Sequence, residues 1–142
     1  MCVNIPPVGT QSPPYSHVVE PGAIRRFVEA LGLGYQPYRD VESARAAGYR
    51  DVVAPPTFMI TLHGQPIPGL DLPEAGLIHG EQTFRYGEPV VAHDVITVVS
   101  RLVEVKTRGP LTFLTLETTG INQEQAMTFV STSTIIARQA QS

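Results

Sequence analysis

The chain has 142 residues and a formal net charge of −3, with 10 Lys and Arg set against 13 Asp and Glu. That length suits one domain with a single core, and without a basic cluster a nucleic-acid surface would lack its electrostatic footprint. Apolar runs of four or five residues are too short to cross a bilayer, and no charged-then-apolar leader opens the chain. Cys2 is alone, so an internal disulfide framework and a cysteine zinc site are excluded, and a cytoplasmic protein is expected.

In chain order, Pro6, Pro7, Pro13 and Pro14 make residues 1–14 an extended, loose lead-in, leaving 15–142 as the domain. Ile24, Phe27, Val28 and Leu31 fall at i, i+3, i+4 and i+7. They predict a helix over 21–31, started by Pro21 and stopped by Gly32. Asp40 is a good N-cap for a second short helix with Ala44 and Ala47 on its small face, ended by Gly48. Behind Pro55 and Pro56, residues 57–63 predict a buried helix with Phe58, Met59 and Leu62 as apolar positions. Gly64, Pro66, Pro68, Gly69, Pro73 and Gly76 then define an irregular loop.

From there the period becomes two, and residues 77–86, 94–106, 111–121 and 126–137 predict four strands. Arg108-Gly109-Pro110 and Asn122-Gln123-Glu124 are the expected turns. Helices followed by an antiparallel meander make an α+β fold, with the helix after Pro56 as the cover for the sheet's apolar face.

Three segments carry a family resemblance: GLGYQPYRDVESARAAGYRDVVAPPTF (Gly32–Phe58), LIHGEQTFRYGEPVVAHDVITVVSRLVEV (Leu77–Val105) and TLETTGINQEQAMTFVSTSTIIAR (Thr115–Arg138). Together they resemble the MaoC-like branch of hot-dog proteins, the dehydratases and hydratases of acyl thioesters, in its N-terminal, non-catalytic type. The resemblance implies a single hot-dog, an antiparallel sheet curled around a central helix, and no cofactor. Catalytic relatives carry G-D-x-N-P-I/L-H-x-D, whose first Asp and His form the acid–base pair. In this chain those two positions hold Leu33 and Tyr38, and His93-Asp94 stands where Gly-Asp is usual.

Dehydrating a 3-hydroxyacyl thioester needs a base for the α-proton, an acid for the leaving hydroxyl and donors for the thioester oxygen. Leu33 transfers no proton, and a phenol such as Tyr38 is a weak acid at neutral pH. Tyr38 is therefore read as a turn aromatic packed on the sheet or as a hydroxyl lining a substrate channel. The remaining catalytic candidates are His63, His79 and Glu81, the last two placed two apart on a strand and so on one side. Ile78 and Phe84 are expected on the opposite, core-facing side, which gives His79 and Glu81 an interface or structural role ahead of a catalytic one. His63 is read as a neutral cap of the helix end or as a tunnel-lining acid. Ala54, Pro55, Pro56, Thr57 and Phe58 are the candidate substrate-binding backbone, because a helix start offers the unpaired N–H groups of Thr57 and Phe58. Arg85, Arg101, Lys106 and Arg108 could meet the phosphates of a carrier. No metal-ligand spacing occurs.

The resemblance thus implies a subunit that binds acyl-CoA or acyl-carrier-protein thioesters and shapes the tunnel of a (3R)-hydroxyacyl dehydratase or enoyl hydratase. Acid and base would come from a hot-dog partner, in a hetero- or homodimer. A self-sufficient homodimeric dehydratase or isomerase with a non-standard acid/base is the second expectation, and a non-enzymatic acyl-ligand-binding module the third. No nucleic acid or membrane partner is expected.

Overall fold

The structure, a computed structural model, describes residues 4–138. Cys2 lies outside the described residues. Pro21 opens α1 (Pro21–Leu31), where its missing N–H costs nothing, and Gly32 closes it at φ 66°, returning its own N–H to the helix end. Ile24 and Val28 are buried, while Leu31, expected on the same stripe, is 54% exposed at the last turn. Asp40 caps α2 (Val41–Ala46), accepting from the Ser43 N–H at 2.8 Å. Ala44 is buried as expected. Ala47 is not: it is the exposed residue that follows the helix, ahead of Gly48 at φ 98°.

The expected central helix takes a different form, a 3-10 helix over Pro56–Thr61 that ends before His63. Two prolines remove donors at its start, and Gly64 and Pro66 follow within a few residues, so too little chain remains to repay α-helix nucleation. The segment uses i to i−3 bonds instead, Leu62 N–H to Met59 O at 3.1 Å and the Thr61 hydroxyl to Phe58 O at 2.8 Å. Phe58, Met59 and Leu62 are nevertheless buried, so the sheet receives its apolar cover.

All four predicted strands are present as β2 (Ile78–Tyr86), β3 (Val95–Arg108), β4 (Leu111–Ile121) and β5 (Met127–Arg138), preceded by a short β1 (Tyr15–Val18). Pairing is antiparallel in the order β1-β3-β4-β5-β2. Only β3, β4 and β5 form the expected meander, because β2 crosses over to lie beside β5. Asn122 builds the β4–β5 turn, its side-chain oxygen accepting from the N–H groups of Glu124 and Ala126.

The proline-rich start is extended but not loose. Gly9 N–H donates to Leu102 O at 2.8 Å, Ser12 N–H to Ser100 O at 2.8 Å, and Leu102 N–H to Thr10 O at 3.1 Å. This strap lies along β3, and Asn4 and Asp71 exchange backbone bonds that tie it to the proline–glycine loop. The concave side of the sheet then carries two apolar clusters. One joins α1 and the 3-10 helix to Val98 and Phe129; the other joins Ile5, Ile67, Leu70 and Leu72 to Leu102 and Leu114.

Candidate functional site

The segment after α1 turns through a 3-10 helix at Gln36–Tyr38, held by Arg39, whose guanidinium donates to the Leu33 carbonyl. That turn places Leu33 against the main core and Tyr38 at its edge, half-buried and edge-on to Tyr35 at 4.8 Å. Beside Tyr38 opens a pocket of about 280 Å³ whose wall includes Tyr49, Ala54, Pro56, Met59, Tyr86 and Thr128. The Tyr86 hydroxyl donates to Pro56 O at 2.9 Å, bracing the start of the 3-10 helix against β2. Burial first, and then the neighbouring phenols of Tyr49 and Tyr35, hold the Tyr38 pKa above the ordinary tyrosine value; burial does the same for Tyr86. Both hydroxyls are therefore neutral donors at physiological pH.

Of the residues expected to meet substrate, Tyr38, Ala54 and Pro56 share this pocket. Pro55 and Phe58 are buried, Phe58 meeting Phe27 edge-to-face at 5.5 Å, while Thr57 is exposed. The Phe58 N–H donates to Pro55 O at 2.9 Å and is already satisfied. The Thr57 N–H forms no hydrogen bond among the described residues, so it is the donor left at this turn.

His79 and Glu81 do not share a side. A bulge between them shifts the β2–β5 register, pairing His79 with Ile135 but Glu81 with Thr134. Gly80 permits it, since a Cβ there would lie 3.1 Å from Ile136 Cδ1. Ile78 is consequently on the convex face at 58% exposure, and Phe84 alone packs on the core. His79 instead lines a cavity of about 400 Å³ on the concave face, together with His63, Gln82, Ser100, Thr118, Ser131 and Ser133. His63 does not cap a helix; its carbonyl accepts from His17 Nε2 at 2.7 Å. The two candidate histidines meet in one cavity, Tyr38 stands in the other, and Met59 borders both.

Asp94, one residue after His93, is 1% exposed and accepts from Arg50 at 3.0 Å, Val91 N–H at 3.0 Å and Gln123 at 2.9 Å. Its role is to fasten the turn before β3 rather than to move protons. His93 lies 3.9 Å from Asp51, but its imidazole is 70% exposed. On the convex face Arg101 pairs with Glu117 and Lys106 with Glu104, both at 3.2 Å, which neutralises two of the four candidate phosphate cations. No cluster of three or more His, Cys, Asp or Glu among the described residues could hold a metal ion, and no helix among them is long and apolar enough to cross a membrane. Sequence reasoning missed Tyr49, Tyr86 and the Ser/Thr band. Tyr49 and Tyr86 sit inside the family segments quoted above, but only folding brings them to Tyr38.

Residues 7–131 match the family described as FAS1-like, dehydratase domain region. A UPF0336 protein of Clavibacter michiganensis subsp. michiganensis (strain NCPPB 382) is 34% identical over 121 residues, covering 81% of each chain. Among solved structures, the C-terminally truncated HadBC (3R-hydroxyacyl-ACP dehydratase) complex from Mycobacterium tuberculosis superposes with a TM-score of 0.79. It is 19% identical, over 94% of this chain and 98% of that one. The unliganded R-hydratase PhaJ1 from Pseudomonas aeruginosa superposes with a TM-score of 0.74 at 20% identity, over 98% of this chain and 89% of that one. The five-stranded antiparallel sheet with few helices is the hot-dog fold of these proteins.

Proposed function

Because this chain belongs to the FAS1-like dehydratase family, we propose that it is the acyl-thioester-binding subunit of a (3R)-hydroxyacyl dehydratase or enoyl hydratase of the cytoplasm. It completes the substrate tunnel beside a second hot-dog, and that partner supplies acid and base. The observation that carries the reading is the pocket at Tyr38. It has the walls of a substrate site, but beside the phenols of Tyr38, Tyr49 and Tyr86 its lining carboxylate, Glu88, is exposed and has no histidine in the pocket to pair with. The Tyr38 phenol, its pKa raised, hydrogen-bonds to a thioester readily and abstracts an α-proton poorly, while the Tyr86 hydroxyl is already given to Pro56 O. The Thr57 N–H beside the same turn is free to hold the thioester oxygen. The HadBC neighbour is itself a complex, which supports assembly with a partner. The test is hydration of an enoyl thioester by the purified chain, alone and mixed with a hot-dog carrying the Asp/His signature. Turnover is expected only in the mixture, and full turnover by the chain alone would overturn the assignment.

The meeting of His63 and His79 in one cavity favours a second reading, a self-sufficient enzyme with an imidazole acid/base. It requires His63→Ala or His79→Ala to abolish turnover of the isolated chain.

A further inference from the structure

The concave face of a hot-dog sheet is its core face, so an alternating strand should place apolar side chains on it throughout. Here one cross-strand row breaks the rule. Ser100 pairs with Thr118 and Thr118 with Ser131, between the apolar row of Val98, Gly120 and Phe129 and the row that begins with Leu102 and Leu116. Ser133 and Gln82 continue that second row toward the edge of the sheet and make its far half polar as well. This band divides the two apolar clusters and lines the larger cavity. A core interrupted by hydroxyls loses apolar burial, and such a departure from pattern belongs at a place used for something else.

The lining states what the cavity can hold. Opposite Met59, Ile60 and Leu62 it carries hydroxyls, one amide and two imidazoles, but no Lys, Arg, Asp or Glu, so it suits a mixed apolar and neutral polar guest rather than a phosphate or a cation. Ser100 and Thr118 satisfy each other at 2.8 Å. The Ser131 and Ser133 hydroxyls and the His63 and His79 rings make no hydrogen bond among the described residues and are available to a guest. Their cavity, about 400 Å³, is of ligand size, and its border with the tyrosine-lined pocket is Met59, an unbranched and adaptable side chain.

We propose that the two cavities form one site that selects acyl thioesters whose chain carries neutral oxygen substituents, hydroxyl or keto, beyond the reacting carbons. The thioester end lies at Tyr38, and the oxygenated distal chain passes Met59 to reach Ser131, Ser133 and His79. The inference rests on the thioester-binding reading above and adds the substrate class to it. A saturated hydrocarbon chain would strip water from these hydroxyls and return no hydrogen bond.

The test is calorimetric titration of the full chain with two N-acetylcysteamine thioesters, a medium-length saturated acyl chain and the same chain bearing two hydroxyls beyond the β-carbon. The hydroxylated compound is expected to bind about tenfold more tightly, the effect of one or two added neutral hydrogen bonds. Ser131→Ala combined with Ser133→Ala keeps the strand's shape and should bring the two affinities together by weakening only the hydroxylated ligand. Thr132→Ala, on the opposite face of β5, should leave the preference intact. Equal affinities in the parent chain would overturn the inference and leave thioester binding standing, whereas failure of both compounds to bind would overturn both. A loss in the double variant that was equal for both compounds would assign the band to the shared amide arm of the thiol and also overturn it.

Discussion

Asp94 shows how much of this molecule's polar chemistry is structural. Its carboxylate is 1% exposed, and three donors converge on it from a loop, a turn and a backbone N–H. Asp94→Ala should lower unfolding free energy by about 3 kcal/mol, the usual cost of removing one partner from a buried hydrogen-bonded group. Arg50→Ala, on a side chain 56% exposed, should cost about 1 kcal/mol or less. Urea denaturation at neutral pH measures both, and equal losses would mean that Arg50 is the dominant donor. Next to it, His93 sits at φ 75°, a backbone region that L side chains enter at a cost and glycine enters freely. His93→Gly should therefore raise the urea midpoint by an amount worth about 0.5–1 kcal/mol. Tyr38 gives a signed pH dependence. Its folded pKa is raised by burial, so the unfolded chain loses the phenolic proton first. The stability this supplies is complete below the unfolded value of about 10 and is lost as pH rises through the folded one. Tyr38→Phe should flatten the alkaline fall of the urea midpoint, and an unchanged slope would remove Tyr38 as its cause. That Leu33 and Tyr38 occupy the two positions set against the Asp and His of the catalytic signature is a reading the sequence alone supplies, because such a signature is local. Tyr49 and Tyr86 were not legible in it, since their meeting with Tyr38 is made by tertiary packing alone.

Strand identity was readable from alternation, and so were the caps at Asp40 and Gly32, because these are local signals. Strand order was not, because nothing in the period of β2 says that it pairs with β5 rather than β3. The bulge at Gly80 escaped for a related reason. One unpaired residue reverses every side chain before it, and a lone glycine in a strand marks such a place without proving it. The helix expected after Pro56 failed on length rather than polarity, since its apolar positions are buried as the pattern required. Sheet packing can be tested at Gly120, where an added Cβ would run into the ring of buried Phe129. Gly120→Ala should cost about 2 kcal/mol by overpacking. Restoration of stability by a second change, Phe129→Leu, would trace the loss to that contact; no restoration would place it in the strand backbone.

At the scale of the molecule, the sheet has two edges, β1 and β2, that no other strand covers among the described residues, and they are of unequal worth. β1 offers four residues, bounded by Pro14 and Pro21, whereas β2 offers nine. A long open edge presents unpaired backbone groups and invites a second strand. Leu77, Ile78 and Tyr86 expose apolar surface along it, at 39%, 58% and 46%. Ile78 is the informative one, because the bulge turns it to the convex face, away from both cavities and from the tyrosines. If the partner hot-dog joins along β2, Ile78→Lys places a charge where an apolar side chain should be covered. Association measured by sedimentation should then weaken about tenfold, in line with the 1.5 kcal/mol or so expected from burying such a side chain. The isolated chain should melt within a degree or two of the parent, since an exposed side chain contributes little to its own fold. Thioester affinity of the isolated chain should also be unchanged. Weaker association with binding and melting intact would separate the edge from the site, whereas undiminished association would move the partner away from β2.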